Sequence, residues 1–243
     1  MTIHTARTTI RELDKPGTDA EVTEFHHTML VPHFPSDEVM PLDNLVHGVR
    51  EGRTRVLTVC GPDGAVLAGA VGEWFPSSRV QLLSYLVVRQ GLRSQGLGSK
   101  VLSEALSRWT EALRPLLILG EVEDPRYFRD TGFGDVVGRV RLYERKGVRA
   151  LPVPYAQPAL GPGLSRVPGL MLMVFAAHCD VRAAEGTING GVVEQFLTEY
   201  YTVVEGDASP DDPQLGAMRA ACRAAGGLPL LLARELPTFP QYE

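Results

Sequence analysis

The chain has 243 residues, room for one large domain or one and a half small ones, and its 44% hydrophobic and 22% charged residues are those of an ordinary globular protein with ample core material. A formal net charge of -5 and a pI near 5.7 argue against a general nucleic-acid or anionic-membrane surface, since both need a basic field, while leaving room for a local basic patch around one anionic ligand. The longest apolar run, Gly169 to Ala177, is far short of the roughly 20 residues that span a bilayer. Met1-Thr2-Ile3-His4-Thr5 lacks the basic-then-apolar layout of a signal peptide. Cys60, Cys179 and Cys222 are odd in number, far apart and without a Cys-x-x-Cys pair. They read as reduced thiols of a cytoplasmic protein, with no metal cage.

In chain order, Thr8 to Leu13 suits a first strand. Thr18-Asp19-Ala20-Glu21 has capping-box spacing, which predicts a helix to about Leu30 with Val22, Phe25 and Met29 buried. Pro41 fits the first turn of a second helix that ends at Gly52. Arg55 to Cys60, the turn Gly61-Pro62-Asp63-Gly64 and Ala65 to Trp74 read as an antiparallel hairpin, and Val80 to Val88 as the third strand of that meander. A loop, Arg89 to Gly98, leads into a helix from about Ser99 to Leu113, with Val101, Leu102, Ala105, Leu106 and Trp109 on one face. Leu116 to Glu123 is a buried strand, Asp124 to Asp130 a short helix and Gly132-Phe133 a turn. Asp135 to Pro168 shows no clear periodicity, and Leu170 to Ala176 is again a strand. Asn189 caps a helix from about Gly190 to Glu205 with Val193, Phe196, Leu197, Tyr200 and Val204 inward and Tyr201 on the surface. A small-residue helix follows from Leu215 to Ala225. The fold class expected is mixed α/β: one mostly antiparallel sheet flanked by helices over residues 1–178, with a helical C-terminal extension over 179–243 packed on it.

The chemistry concentrates in Arg93-Ser94-Gln95-Gly96-Leu97-Gly98-Ser99-Lys100, between a strand and an amphipathic helix. The first N–H groups of a helix have no internal partner and carry the positive end of its dipole, so they suit a phosphate. Gly96 and Gly98 let main chain approach such a ligand without a Cβ in the way, and Arg93 and Lys100 add positive charge. A lone Gly-x-Gly is equally a plain turn. No Gly-x-x-x-x-Gly-Lys-Ser/Thr is present, and Gly91, Gly96 and Gly98 are not in the order of a dinucleotide fingerprint.

With its flanks, Leu86-Val87-Val88 followed after five residues by Arg93-Ser94-Gln95-Gly96-Leu97-Gly98, the segment resembles the acetyl-coenzyme A motif of the GNAT acetyltransferase superfamily. The order of elements from about Thr8 to Ala177 is similar too. The resemblance implies acetyl-coenzyme A as acyl donor, and transfer to an amine by direct attack in a ternary complex. Arg93 to Lys100 would hold the pyrophosphate and Leu86, Val87 and Val88 the pantetheine, with a main-chain donor at Val88 polarising the thioester carbonyl.

An amine must lose a proton to attack and the leaving thiolate must gain one. Glu121 and Glu123, two apart on a strand, share a face, where one is a candidate base or a holder of a cationic amine and mutual repulsion would raise a pKa; the alternative is an ordinary solvated strand end. Glu73 is the next candidate. The family's usual acid is a Tyr four residues before the Gly of a Gly-Phe pair. That slot holds Phe128, with Tyr127 one residue earlier, so either Tyr127 serves or water does. The resemblance puts Tyr155 and Gln157 where the family often has substrate-facing loop residues, against the default of a rigid Pro-rich connection, and Glu73 joins them as a candidate for the substrate. His26, His27 and His33 do not complete a metal site, and Cys60 reads as a small buried hydrophobe. The acidic balance favours a cationic acceptor, a small-molecule amine or a lysine side chain, with no nucleic acid, no membrane and a homodimer as a further expectation. The rival reading is a non-catalytic acyl-coenzyme A sensor or regulatory subunit; a third is an interaction protein whose glycines merely make a turn.

Overall fold

A computed structural model describes residues 8–13, 17–128, 132, 134–206, 209 and 211–239. It is mixed α/β, with a mostly antiparallel sheet flanked by helices. The chain divides into two units, Met1–Trp74 with Leu83–Leu113, and Phe75–Leu82 with Arg114–Glu243.

In the first unit β1 (Thr9–Glu12) leads into α1 (Asp19–Phe25), whose last turn widens into a π-helical segment, His26–Leu30. Val22, Phe25 and Met29 are fully buried, as the 3.6-residue period requires. The cap differs from expectation. Thr18 makes no side-chain cap bond; its hydroxyl donates instead to the Leu13 carbonyl at 2.6 Å, and Glu21 pairs with Arg11. A carbonyl acceptor just after β1 and a cation outcompete the local capping box. The second helix, α2 (Leu42–Arg50), begins directly after Pro41. β2 (Thr54–Cys60) runs antiparallel to β1 and to β3 (Val66–Phe75). Their hairpin is closed by bonds from Gly61 N to Ala65 O and from Gly64 N to Gly61 O, with Gly64 at φ +83°. β4 (Val80–Val88) neighbours β3. Next comes α3 (Leu97–Leu113), two residues longer at its start than its periodicity suggests; it buries Val101, Leu102, Ala105 and Trp109.

The second unit holds β5 (Leu117–Glu123), α4 (Val136–Arg145), β6 (Arg149–Ala150), β7 (Ala156–Gln157), β8 (Val167–Pro168), β9 (Leu170–Ala177), β10 (Thr187–Ile188), α5 (Gly190–Glu205), α6 (Pro213–Cys222) and β11 (Leu228–Pro229). β9 lies antiparallel between β5 and β6. Instead of the expected short helix after Asp124, residues 125–127 form a turn in which Tyr127 N and Phe128 N both donate to Asp124 O. Arg129 to Thr131 and Phe133 lie outside the described residues.

Leu117, Leu172, Val193, Phe196, Leu197 and Tyr200 share one hydrophobic core, so α5 packs with the strands on the other side of residue 178. Phe196 stacks on Tyr200 with centroids 5.6 Å apart and meets Phe75 edge-on at 5.2 Å. Tyr201, expected on the surface, is buried: its hydroxyl donates to Ala156 O at 2.9 Å, and the Arg166 guanidinium lies 4.8 Å above its ring while bonding Glu205 and Asp212. Asp212 also caps α6 through Gln214 N and Leu215 N, which sets that helix two residues earlier than its small-residue pattern suggests. Glu199 on α5 accepts from Ser77 N at 3.0 Å, Ser78 N at 2.9 Å and Ser78 Oγ at 2.8 Å.

Candidate active site

The glycine loop lies wholly in the first unit. It leaves β4 at Val88 and reaches α3 within nine residues, all of them described. Arg89 anchors its start: its main-chain N bonds Leu67 O and its Nε bonds Val66 O. Three residues in the loop take left-handed φ, namely Gly91 at +82°, Ser94 at +66° and Gly96 at +78°. A serine in that region costs roughly 1–2 kcal/mol, which the loop's anchors must offset. A Cβ added at Gly96 would meet nothing within 4 Å, so the space beside this main chain is open. Gly98 is needed for a different reason: a Cβ there would sit 3.2 Å from Val88 Cγ2, where the first turn of α3 presses on the end of β4.

Because Lys100 N donates to Gly96 O at 2.9 Å, the helix begins at Leu97, and the N–H groups of Leu97, Gly98 and Ser99 form its open end. Arg93, Ser94, Gln95, Gly96 and Lys100 are exposed, and Lys100 Nζ donates to Thr8 Oγ1 at 2.5 Å. The His33 imidazole, which accepts from Gln90 N, is held below its usual range chiefly by burial, against the raising effect of its bond to the Met29 main chain and with smaller lowering effects from the charges of Arg93 and Arg89. Leu86, Val87 and Val88 are the last three residues of β4.

Glu73 belongs to the same unit, half-buried on β3, and takes the Ser84 hydroxyl of β4 at 2.6 Å. Burial pushes its carboxyl above the usual carboxylate range, against the opposing effects of the Ser84 bond and the Arg53 charge. The folded state therefore holds this proton more tightly than the unfolded chain, whose glutamates titrate near ~4.3. Stability is lost as pH rises from that value through the raised folded one. Glu73→Gln cannot ionise, so its thermal midpoint is expected above wild type at pH 8, with the gap closing by pH 4. Melting curves at both pH values check this; a midpoint at or below wild type at pH 8 contradicts it.

The other carboxylates lie in the second unit. Glu121 and Glu123 alternate correctly on β5, opposite Leu172 and Leu170 of β9, yet they are engaged by different groups. Glu123 is buried and paired with Arg139 of α4 at 2.8 Å. Glu121 accepts from Tyr155 Oη at 2.5 Å, Gln157 Nε2 at 3.0 Å and Tyr200 Oη at 3.5 Å. Burial, then the Glu121 charge, pushes the Tyr155 phenol well above its ordinary range, so it stays a donor. Tyr127 is half-buried in the turn after β5, its ring 5.6 Å from the Arg126 guanidinium, which is bound in turn to Asp124. Phe128 packs against the hydrophobic core of this unit.

Tyr155 and Gln157 are thus brought to Glu121, while Glu73 stands on β3 with Ser84. Sequence reasoning missed Ser84, Arg139 and the role of Tyr200. The histidines disperse: His26 Nε2 lies 2.9 Å from Met40 O, His27 is exposed and His33 serves the loop. One cluster of metal-type donors occurs among the described residues, the exposed His178, Cys179 and Asp180. There His178 Nδ1 already accepts from Asp180 N as the cap of a 3₁₀ turn. Cys60 and Cys222 are buried, and burial pushes the Cys222 thiol up to about 12.

The fold is that of the GNAT acetyltransferases. A protein from Bacteroides thetaiotaomicron described as a GNAT-family acetyltransferase matches with a TM-score of 0.55 at 21% identity, over 79% of this chain and 98% of its own. A GNAT-family acetyltransferase from Staphylococcus aureus gives 0.49 at 14% identity over 70% and 100%, and the ribosomal-protein-S18-alanine N-acetyltransferase of Escherichia coli 0.46 at 15% over 69% and 92%. Identities this low speak for the fold alone. No protein-family model matches the sequence, and no curated protein matches it. Among the described residues no helix is long and apolar enough to cross a membrane.

Proposed function

We propose that the chain is an N-acyltransferase that takes an acetyl or other short acyl group from coenzyme A and passes it to an amine by direct attack in a ternary complex. The observation that carries this reading is the open space beside the main chain at Gly96, in a loop that runs into the start of α3 and bears the exposed Arg93 and Lys100. Arg93 to Lys100 hold the diphosphate and Leu86 to Val88 the pantetheine. Burial raises the proton affinity of the Glu73 carboxyl, the direction a general base needs. Glu123, tied to Arg139, stabilises its strand, and Glu121 organises Tyr155 and Gln157. Tyr127 or water is left to supply the proton. The enzyme would work in the cytoplasm, on a small amine or a lysine side chain, without a metal; a homodimer is part of the same reading.

The second reading, a non-catalytic acyl-coenzyme A sensor, draws on Phe128, which fills the slot of the family's acid and packs into a core. Release of free thiol from acetyl-coenzyme A over a panel of amines separates the two. Turnover in wild type, with at least a tenfold loss in Glu73→Gln, is expected. Tight acetyl-coenzyme A binding with no turnover on any amine favours the sensor, and no binding at all removes both.

A further inference from the structure

The turn that leaves β9 in the second unit carries three donors of the kinds a transition metal takes. Its main chain is held at both ends. His178 N bonds Leu116 O at 2.9 Å, Val181 N bonds His178 O at 3.2 Å and Asn189 N bonds Val181 O at 2.7 Å, while the Val181 side chain is buried in the core. The side chains of His178, Cys179 and Asp180 stand exposed on this fixed support, so a ligand needs no cavity to reach them.

Their donor atoms converge. His178 Nδ1 lies 3.3 Å from Asp180 Oδ2 and 3.7 Å from Cys179 Sγ, and Cys179 Sγ lies 3.5 Å from Asp180 Oδ1. Zinc bonds of about 2.0 Å to nitrogen and oxygen and about 2.3 Å to sulfur, set at tetrahedral angles, put nitrogen and oxygen about 3.3 Å apart and sulfur about 3.5 Å from each. The turn already has nearly those spacings. What remains is a small rotation of the Asp180 carboxylate, so that one oxygen serves both neighbours, and that side chain is 67% exposed.

The histidine shows why an ion fits. Its Nδ1 faces two groups at 3.3 Å with opposite demands, the Asp180 N–H and the Asp180 carboxylate. A proton on Nδ1 would repel the N–H; a lone pair there accepts from the N–H but stands against the carboxylate oxygen. A cation between Nδ1 and the carboxylate removes that second conflict. The N–H bond it displaces is a long one, and water can replace it at an exposed turn. Neutral imidazole, thiolate and carboxylate together carry two negative charges, which a divalent ion cancels.

We propose that His178 Nδ1, Cys179 Sγ and an Asp180 carboxylate oxygen bind one divalent transition-metal ion of the zinc class, with water in the fourth position. A set of one nitrogen, one sulfur and one oxygen selects against magnesium and calcium, which take oxygen ligands. On binding, the Cys179 thiol gives its proton to solvent and its sulfur forms the bond to the metal. The site stands apart from the acyl-transfer reading, and neither depends on the other.

The test uses the full chain, stripped of metal with a chelator. Calorimetric titration with zinc chloride is expected to show one ion per chain, and magnesium chloride is expected to show no binding. Cobalt(II) chloride reports the sulfur directly, through a thiolate-to-metal charge-transfer band in the near ultraviolet. Cys60 and Cys222 are buried, so Cys179→Ser should abolish that band. Cys179→Ser and Asp180→Asn should each weaken zinc binding at least about tenfold, since losing a bonded ligand costs no less than losing a partner behind it. Both side chains are exposed, so the metal-free thermal midpoint should stay close to wild type in each. The proposal is overturned if zinc is not taken up, if magnesium binds as tightly, if either variant holds zinc as wild type does, or if the cobalt band survives Cys179→Ser.

Discussion

Phe196→Ala is expected to lower the unfolding free energy by about 3–5 kcal/mol, the range for deleting a fully buried aromatic ring from a packed core. The ring is 0% exposed, with Tyr200 stacked on one side and the edge of Phe75 against it. Truncation removes its transfer energy and leaves a gap, because Phe75 on β3 and Tyr200 on α5 are anchored by their own elements and close in only partly. Urea unfolding measures the loss. Val203→Ala on the same helix is the control, since Val203 is 52% exposed and should change stability by no more than about 0.5 kcal/mol. A Phe196→Ala loss as small as the control would mean that this core does not form.

Gly96→Ala should separate ligand binding from folding. Its φ of +78° makes any side chain strained by roughly 1–2 kcal/mol, and its methyl would meet no atom within 4 Å. Stability should therefore fall modestly. On the proposed function acetyl-coenzyme A should suffer far more, because the methyl would stand where we propose that the diphosphate approaches the main chain. Losing two charge-assisted bonds of about 1.5 kcal/mol each weakens binding by about a hundredfold. Calorimetry with acetyl-coenzyme A, beside a thermal melt, gives both numbers. An affinity unchanged from wild type would falsify the placement of the diphosphate at this loop.

Local signals were legible and long-range partners were not. The strands from Val56 to Val88 and the helix Gly190–Glu205 announce themselves, because a run of buried residues or a 3.6-residue stripe lies within one window, and Asn189 caps its helix as its side chain allows. α4 hid behind its polarity: six of its ten residues are glycine, charged or exposed valine, so only Val136, Val140 and Tyr143 mark the inner face, although Asp135 does cap it through Gly138 N. The Thr18 box failed for the opposite reason, a good local pattern beaten by a carbonyl just after β1. The place and backbone of the glycine loop could be read, because the end of β4, the turn glycines and the start of α3 are contiguous in sequence. The surroundings of Glu121 could not: Tyr155, Gln157 and Tyr200 lie 34, 36 and 79 residues away in sequence, and no spacing rule connects them. The same holds for Ser84 beside Glu73, which depends on how two strands are registered.

Glu199 grips Ser77 and Ser78 across about 120 residues of chain, and this bears on how the protein is made. A ribosome emits residues at about 5–20 per second, so the tip between β3 and β4 is outside for several seconds before its carboxylate partner exists. During that interval Phe75 has neither Phe196 nor Tyr200 to cover it, and it offers a greasy, unpaired surface to chaperones or to other nascent chains. Late closure of this kind makes a chain released early, for instance at residue 178, a candidate for aggregation even though every strand of its sheet has already been synthesised.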